Sequence, residues 1–309
     1  MDLGWTIGML VVGFLGTAVL GLAMKWVDRK VTAMVQWRVG PPWYQPVADI
    51  AKLLGKETII PESARRAGFL LAPVAGFAAV TLAAAILWSV NLDPSRSFVG
   101  DLIVVLYLLT IPSLAVILGA SSSGNPHAAI GASREMKLIL SYELPFVLAM
   151  VPAMVAGGWT FRLGDVMAGT TGGLFTVAKA LGFVVALLCV QAKLGLVPFD
   201  IAEAETEIMG GVYCEYSGAP LAVFYLTRAM MFAVLPMVLV TVLWGGFHFG
   251  SVPGAVASVL KYLLVIVVVV LVRNTNPRVR VDHAMKFFWF GLTPVAIVAV
   301  VLALIGAGQ

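Results

Sequence analysis

Apolar runs of about twenty residues recur along the whole chain. A run of that length with few charges matches the ~30 Å hydrocarbon core of a bilayer. In hydrocarbon every backbone polar group must be satisfied inside the segment, which favours helices. Eight such runs fit, near 3–26, 67–90, 99–120, 129–157, 174–196, 219–245, 255–273 and 286–306. The expectation is an all-α polytopic membrane protein with about eight transmembrane helices, forming a single integral membrane domain over residues 1–309. Composition agrees. Only 12% of the residues are charged, against about 25% in a soluble domain. The N-terminus is apolar from Leu3 with no basic stretch before it, so it reads as a retained first span and not a cleaved leader.

Charge placement orients these spans. The segments 27–66, 121–137, 197–218 and 274–285 fall on one side. Counted with their flanking residues (25–66, 121–137, 193–218, 273–286), they hold 15 of the 20 Lys and Arg. The other side has Arg96 and Arg162, while Lys179, Arg228 and Lys261 lie within spans or at their ends. Positive residues mark the cytoplasmic side. The long loops are therefore expected in the cytoplasm and both termini outside.

The stretch Pro198–Gly218 reads PFDIAEAETEIMGGVYCEYSG and holds Asp200, Glu203, Glu205, Glu207 and Glu215, five of the sixteen acids. If the segment after Pro198 is helical, Asp200, Glu203 and Glu207 share a face and Gly210-Gly211 ends the helix. Carboxylates this close titrate as a group and hold or pass protons. The plainer alternative is a solvated acidic loop that neutralises the basic loops beside it. Arg228, in span six, is either a counter-charge for this cluster or a snorkelling side chain. In span four, Ser141-Tyr142-Glu143-Leu144-Pro145 puts an acid in an apolar helix, where insertion costs roughly 2.5–3.5 kcal/mol at the centre. Pro145 also frees one backbone carbonyl. Glu143 is thus a functional buried carboxylate, or it lies near the headgroups and reaches water.

The first loop carries Pro41, Pro42 and Pro46. After them Val47, Ile50, Ala51 and Leu54 fall on one helical face and Asp49, Lys52 and Lys56 on another. This is a short amphipathic cytoplasmic helix, resting on the membrane surface or on a partner. Cys189 and Cys214, with His127, His248 and His283, have no metal-ligand spacing. No cofactor or metal is expected on this chain, so any redox chemistry belongs to other chains. No nucleic-acid partner is expected.

The motifs resemble a known family. Gln36-Trp37-Arg38-Val39-Gly40-Pro41 through Gln45-Pro46-Val47-Ala48-Asp49-Ile50-Ala51-Lys52-Leu53 resembles the first-loop signature of the complex I subunit 1 family. Gly131-Ala132 with Ser141-Tyr142-Glu143-Leu144-Pro145 resembles its span-four signature. Pro198-Phe199-Asp200, Glu203-Ala204-Glu205 and Glu215-Tyr216-Ser217-Gly218 resemble its acidic loop, and Asp282 with the basic residues before it resembles its last loop. The resemblance implies a subunit joining a cytoplasmic redox arm to an ion-pumping membrane arm. Glu143, Asp200, Glu203, Glu205, Glu207, Glu215 and Arg228 are then candidates for a proton or ion path. Arg38, Gln45, Asp49, Lys52 and Asp282 are candidates for the redox-arm interface.

Complex I members usually carry a longer first loop, with a second Asn-Arg-Val-Gly-Pro element. The shorter Gly40-Pro41-Pro42-Trp43-Tyr44-Gln45-Pro46, with Gly124-Asn125-Pro126 and Gly131-Ala132-Ser133-Arg134-Glu135, is more similar to the membrane subunit of energy-converting nickel–iron hydrogenases. That resemblance implies a [NiFe] centre and Fe–S clusters on partner chains: hydrogenase large and small subunits on the cytoplasmic face, beside antiporter-like membrane subunits. It implies a prokaryotic inner-membrane location and no quinone site at Arg38 or Asp49. The expected function is a membrane-anchor and coupling subunit of such an ion-translocating complex. The alternatives are a quinone-binding subunit of an NADH:quinone oxidoreductase and, from another class, a stand-alone secondary transporter.

Overall fold

The computed structural model describes residues 3–169 and 172–307. Among them no strand occurs, and eight helices are long and apolar enough to cross a membrane: Gly4–Val35, Arg66–Leu92, Asp101–Ser122, Pro126–Ala156, Gly173–Lys193, Gly218–Leu243, Val252–Thr275 and Val281–Ala307. These are spans one to eight. The expected count holds, but two boundaries move. Span one continues to Val35, well past the expected end near residue 26, because Asp28 is buried and paired with Arg273 of span seven. Span four starts at Pro126. The Asn125 side chain accepts the His127 N–H at 2.8 Å, and proline fits the first helical turn. Parts of the segments 27–66 and 121–137, expected as loops, are therefore helix.

Span six is the axis of the bundle. Of its apolar stretch 89% is buried, against 22% for span one and 28% for span eight. Spans one, two and five pack around it. Small residues bring backbones close at these crossings. A Cβ on Gly21 of span one would sit 2.5 Å from the Ala229 carbonyl oxygen of span six, and one on Gly182 of span five would sit 2.6 Å from that of Ala149 in span four. Span three breaks at Leu109–Thr110 into Asp101–Leu108 and Ile111–Ser122. Spans one and eight each contain a π-helical turn, Val12–Gly16 and Phe287–Leu292.

The segment between spans five and six corrects the helical expectation for Pro198 onward. Residues 198–204 are not helical; a single turn forms at Glu205–Ile208 and a 3₁₀ turn at Gly211–Tyr213. Asp200, Glu203 and Glu207 therefore share no helical face. Nor is the segment a solvated loop, since Leu194, Leu196, Phe199, Ile201, Ala202 and Ala204 are buried. Met209, Gly210 and Gly211 are consecutively left-handed, with φ of 53°, 89° and 51°. A Cβ at Gly211 would lie 2.1 Å from the Ala202 carbonyl oxygen. The segment wedges against span four at Gly131, where an added Cβ would lie 2.9 Å from Val212 N.

The amphipathic helix forms over Gln45–Leu54. It buries Pro46 against the bundle, while Val47, Leu54, Trp43 and Tyr44 stay exposed. Its apolar stripe is not covered by this chain.

Candidate functional site

Charged side chains line a cavity of about 550 Å³ that opens beside the amphipathic helix. Span one supplies Lys25, Asp28 and Arg29, span seven Arg273, the last link Arg278, and the buried segment Asp200 and Glu203. Asp28 is held by Arg273 at 2.7 and 2.8 Å, with Lys25 at 3.9 Å. The Arg29 guanidinium donates to Asp49 at 2.8 Å, and Gln45 donates to the same carboxylate at 2.9 Å. Arg278 donates to Asp200 at 2.9 Å, and the Val279 N–H donates to the Pro198 carbonyl at 3.0 Å. The other Asp200 oxygen is buried without a partner. Burial, and then the neighbouring Glu203, raise this carboxyl above the ordinary carboxylate value, against the pull of Arg228 and Arg278.

Arg228 ion-pairs with Glu203 and donates to the Gly195 carbonyl at 2.8 Å. Both members of this pair line the 550 Å³ cavity. Both also line a second, inner cavity of about 60 Å³, together with Ser113, Glu135, Lys193 and Tyr213. The inner space suits a few waters, each needing roughly 10–15 Å³. The Lys193 ammonium, at its edge, donates to Glu143 at 2.8 Å. Thr110, at the break in span three, donates to the other Glu143 oxygen at 2.9 Å. Lys193 is fully buried over the rings of Tyr142 and Phe146, while Glu143 keeps 26% side-chain exposure on a flank shared with exposed Leu140, Leu144 and Val147. The order is Asp200–Arg278, Glu203–Arg228, Glu135, Lys193–Glu143, from the wide mouth to the middle of span four. Ionisable groups kept at such depth mark paths for ions or protons.

Other candidates lie elsewhere. Glu207 pairs with Arg134 at 2.5 Å but is 58% exposed, and Glu215 accepts from Asn125; neither lines the two cavities. The Glu205 side chain lies outside the described residues. Arg38 is exposed, bonds to Gln36 and lines a hollow of about 280 Å³ with Arg29 and Arg273. Gln45 and Asp49 stand on the amphipathic helix at the mouth of the wide cavity, Lys52 is exposed on that helix, and Asp282 is exposed at the start of span eight. The structure adds Glu135, Lys193, Lys25, Asp28 and Arg273. Glu135 was hidden by placing residues 121–137 in a loop, although Asn125-Pro126 is a helix-start signal that puts it in the third turn of span four.

A bundle of eight spans with its charges turned inward defines an integral membrane subunit, and comparison with known proteins assigns it. The model of the NADH dehydrogenase family matches residues 7–304, and the chain belongs to that family. It is 35% identical to a membrane-arm relative from Anoxybacillus flavithermus, named as a subunit of NADH-quinone oxidoreductase, over 94% of this chain and 88% of that one. It is 33% identical to the like-named subunit from Geobacillus kaustophilus over 97% and 94% of the two chains. Among solved structures it is similar to a chain of the membrane-bound sulfane sulfur reductase, an archaeal respiratory membrane complex, with TM-score 0.86 and 27% identity over 96% of this chain and 99% of that chain. The chain is a membrane subunit of a complex I-like respiratory complex, as the motifs imply.

Proposed function

We propose that this chain anchors and couples a hydrogenase-type respiratory complex, relaying the outcome of redox chemistry on partner chains to proton or sodium translocation. The observation that carries the reading is the meeting of two cavities at the Glu203–Arg228 pair. A change of charge at the wide mouth alters Asp200 and Glu203. Glu203 shifts the balance between its pair with Arg228 and the buried Glu135, and Lys193 passes the change to Glu143. Waters in the inner cavity carry protons between these groups. Exposed Glu143 on an apolar flank suits a neighbouring antiporter-like membrane subunit, which completes its environment. In this reading the amphipathic-helix side faces the cytoplasm and docks the partner chains that hold the [NiFe] centre and Fe–S clusters. The short first loop supports the hydrogenase type, as does the dense charge of the wide cavity, a poor lining for an isoprenoid chain.

The relatives' name favours a second reading, in which the wide cavity admits a quinone. Its 550 Å³ volume is within the ligand range of about 300–1,000 Å³. The test is to measure ions moved per electron pair in vesicles carrying the assembled complex. Glu135→Gln is expected to abolish pumping, while Glu207→Gln leaves it intact. Unchanged pumping in Glu135→Gln overturns the relay. Quinone-dependent turnover, blocked by bulky substitution at Ile50 in the cavity wall, establishes the second reading instead.

A further inference from the structure

On the side of the bundle away from the amphipathic helix, a crevice of about 390 Å³ lies between spans five and six. Its walls are apolar and aromatic, with Phe183, Val184, Leu243 and Trp244 among them. The Phe183 and Trp244 rings meet edge to face at 5.3 Å. Two cations converge here. Lys179 lines the crevice six residues into span five, roughly 9 Å deep at 1.5 Å per residue. Lys261 of span seven reaches the rim, its ammonium 3.4 Å from the Trp244 carbonyl oxygen and 5.8 Å from the ring centre. That carbonyl takes one of the three ammonium N–H groups, leaving donors for another acceptor.

The charge balance here differs from that of the other cations on this side. Arg96 stands 3.0 Å from Asp93, and Arg162 stands 4.0 Å from Asp165. Among the described residues, no carboxylate lines the crevice. Lysine stems lie along apolar walls and lift their charge toward the headgroup level, and tryptophan favours that level. The crevice opens on a surface with half-exposed Val177 and Val184, which suits acyl chains.

We propose that this crevice binds an anionic phospholipid, its phosphate between Lys179 and Lys261 and an acyl chain along Phe183 and Val184. The assembled complex, exchanged into nanodiscs of phosphatidylcholine with a minor fraction of phosphatidylglycerol, gives the test by native mass spectrometry of lipid retained on this chain. The wild type and the Lys179→Arg/Lys261→Arg variant are expected to retain phosphatidylglycerol, and Lys179→Gln/Lys261→Gln to lose it. Inorganic phosphate added to the buffer should not displace it. Should the Gln variant not assemble, Val184→Trp fills the crevice with both lysines in place and is expected to lose the lipid as well. Retention in either variant overturns the proposal. So does equal retention of phosphatidylcholine by the wild type, or crosslinking of a Val184→Cys variant to a neighbouring subunit.

Discussion

The Lys193 ammonium lies 2.8 Å from the Glu143 carboxylate, and the lysine side chain is wholly buried while the glutamate keeps 26% of its surface. Breaking such a pair leaves a buried charge uncompensated, a loss of about 3–5 kcal/mol. Glu143→Gln is therefore expected to lower the thermal stability of the complex and stop pumping. The Glu143→Gln/Lys193→Met double variant, which removes both charges, should recover the stability but not the pumping. Thermal unfolding and ion-uptake assays on the single and double variants check this; recovery of both properties would remove the pair from the relay.

Glu207 and Arg134 make a contrasting pair at the surface, with 58% and 25% side-chain exposure. Exposed pairs contribute about 0–1 kcal/mol. Glu207→Gln should leave the melting temperature of the complex nearly unchanged, and a drop comparable to that of Glu143→Gln would contradict the placement.

Asp200 supplies a dependence on pH. Its carboxyl is raised in the folded chain, chiefly by burial. The folded state then holds this proton more tightly than the unfolded state, whose aspartate titrates near ~3.9. The associated stability is complete below that value and is lost as pH rises through the folded one. Asp200→Asn is neutral at every pH. The stability of the wild type relative to this variant should fall as pH rises across that window, as thermal melts at stepped pH would record. A constant difference would place Asp200 in water.

Gly21 brings span one onto span six next to Arg228. A Cβ there would sit 2.5 Å from the Ala229 carbonyl oxygen. Gly21→Ala should cost about 1–3 kcal/mol by overpacking and lower the ions moved per electron, since Arg228 shares that turn. Normal coupling with reduced stability would separate the packing from the relay.

Hydrophobic run length made all eight spans legible, because a bilayer imposes one length on every crossing. The acids Glu143, Asp200 and Glu203 were legible too, since a carboxylate in or beside an apolar run stands out. Glu135 and Lys193 did not stand out, because each sits at the edge of an apolar run, where a charge ordinarily reaches the headgroups. Their burial depends on the segment between spans five and six folding back into the bundle. That return is set by Gly131 and Gly211, whose missing Cβ atoms are needed only against partners far away or folded back. The helix expected after Pro198 failed for a related reason: residues 198–204 are held by packing and not by local propensity.

The hydrogen bond from Val279 to Pro198 and the ion pair from Arg278 to Asp200 join two neighbouring residues of one link to one short peptide. The two attachments act as a hinge pin. A body seated on the link between spans seven and eight cannot shift it without carrying that peptide along, so pressure at the surface reaches the first acid of the corridor as movement, ahead of any change in charge.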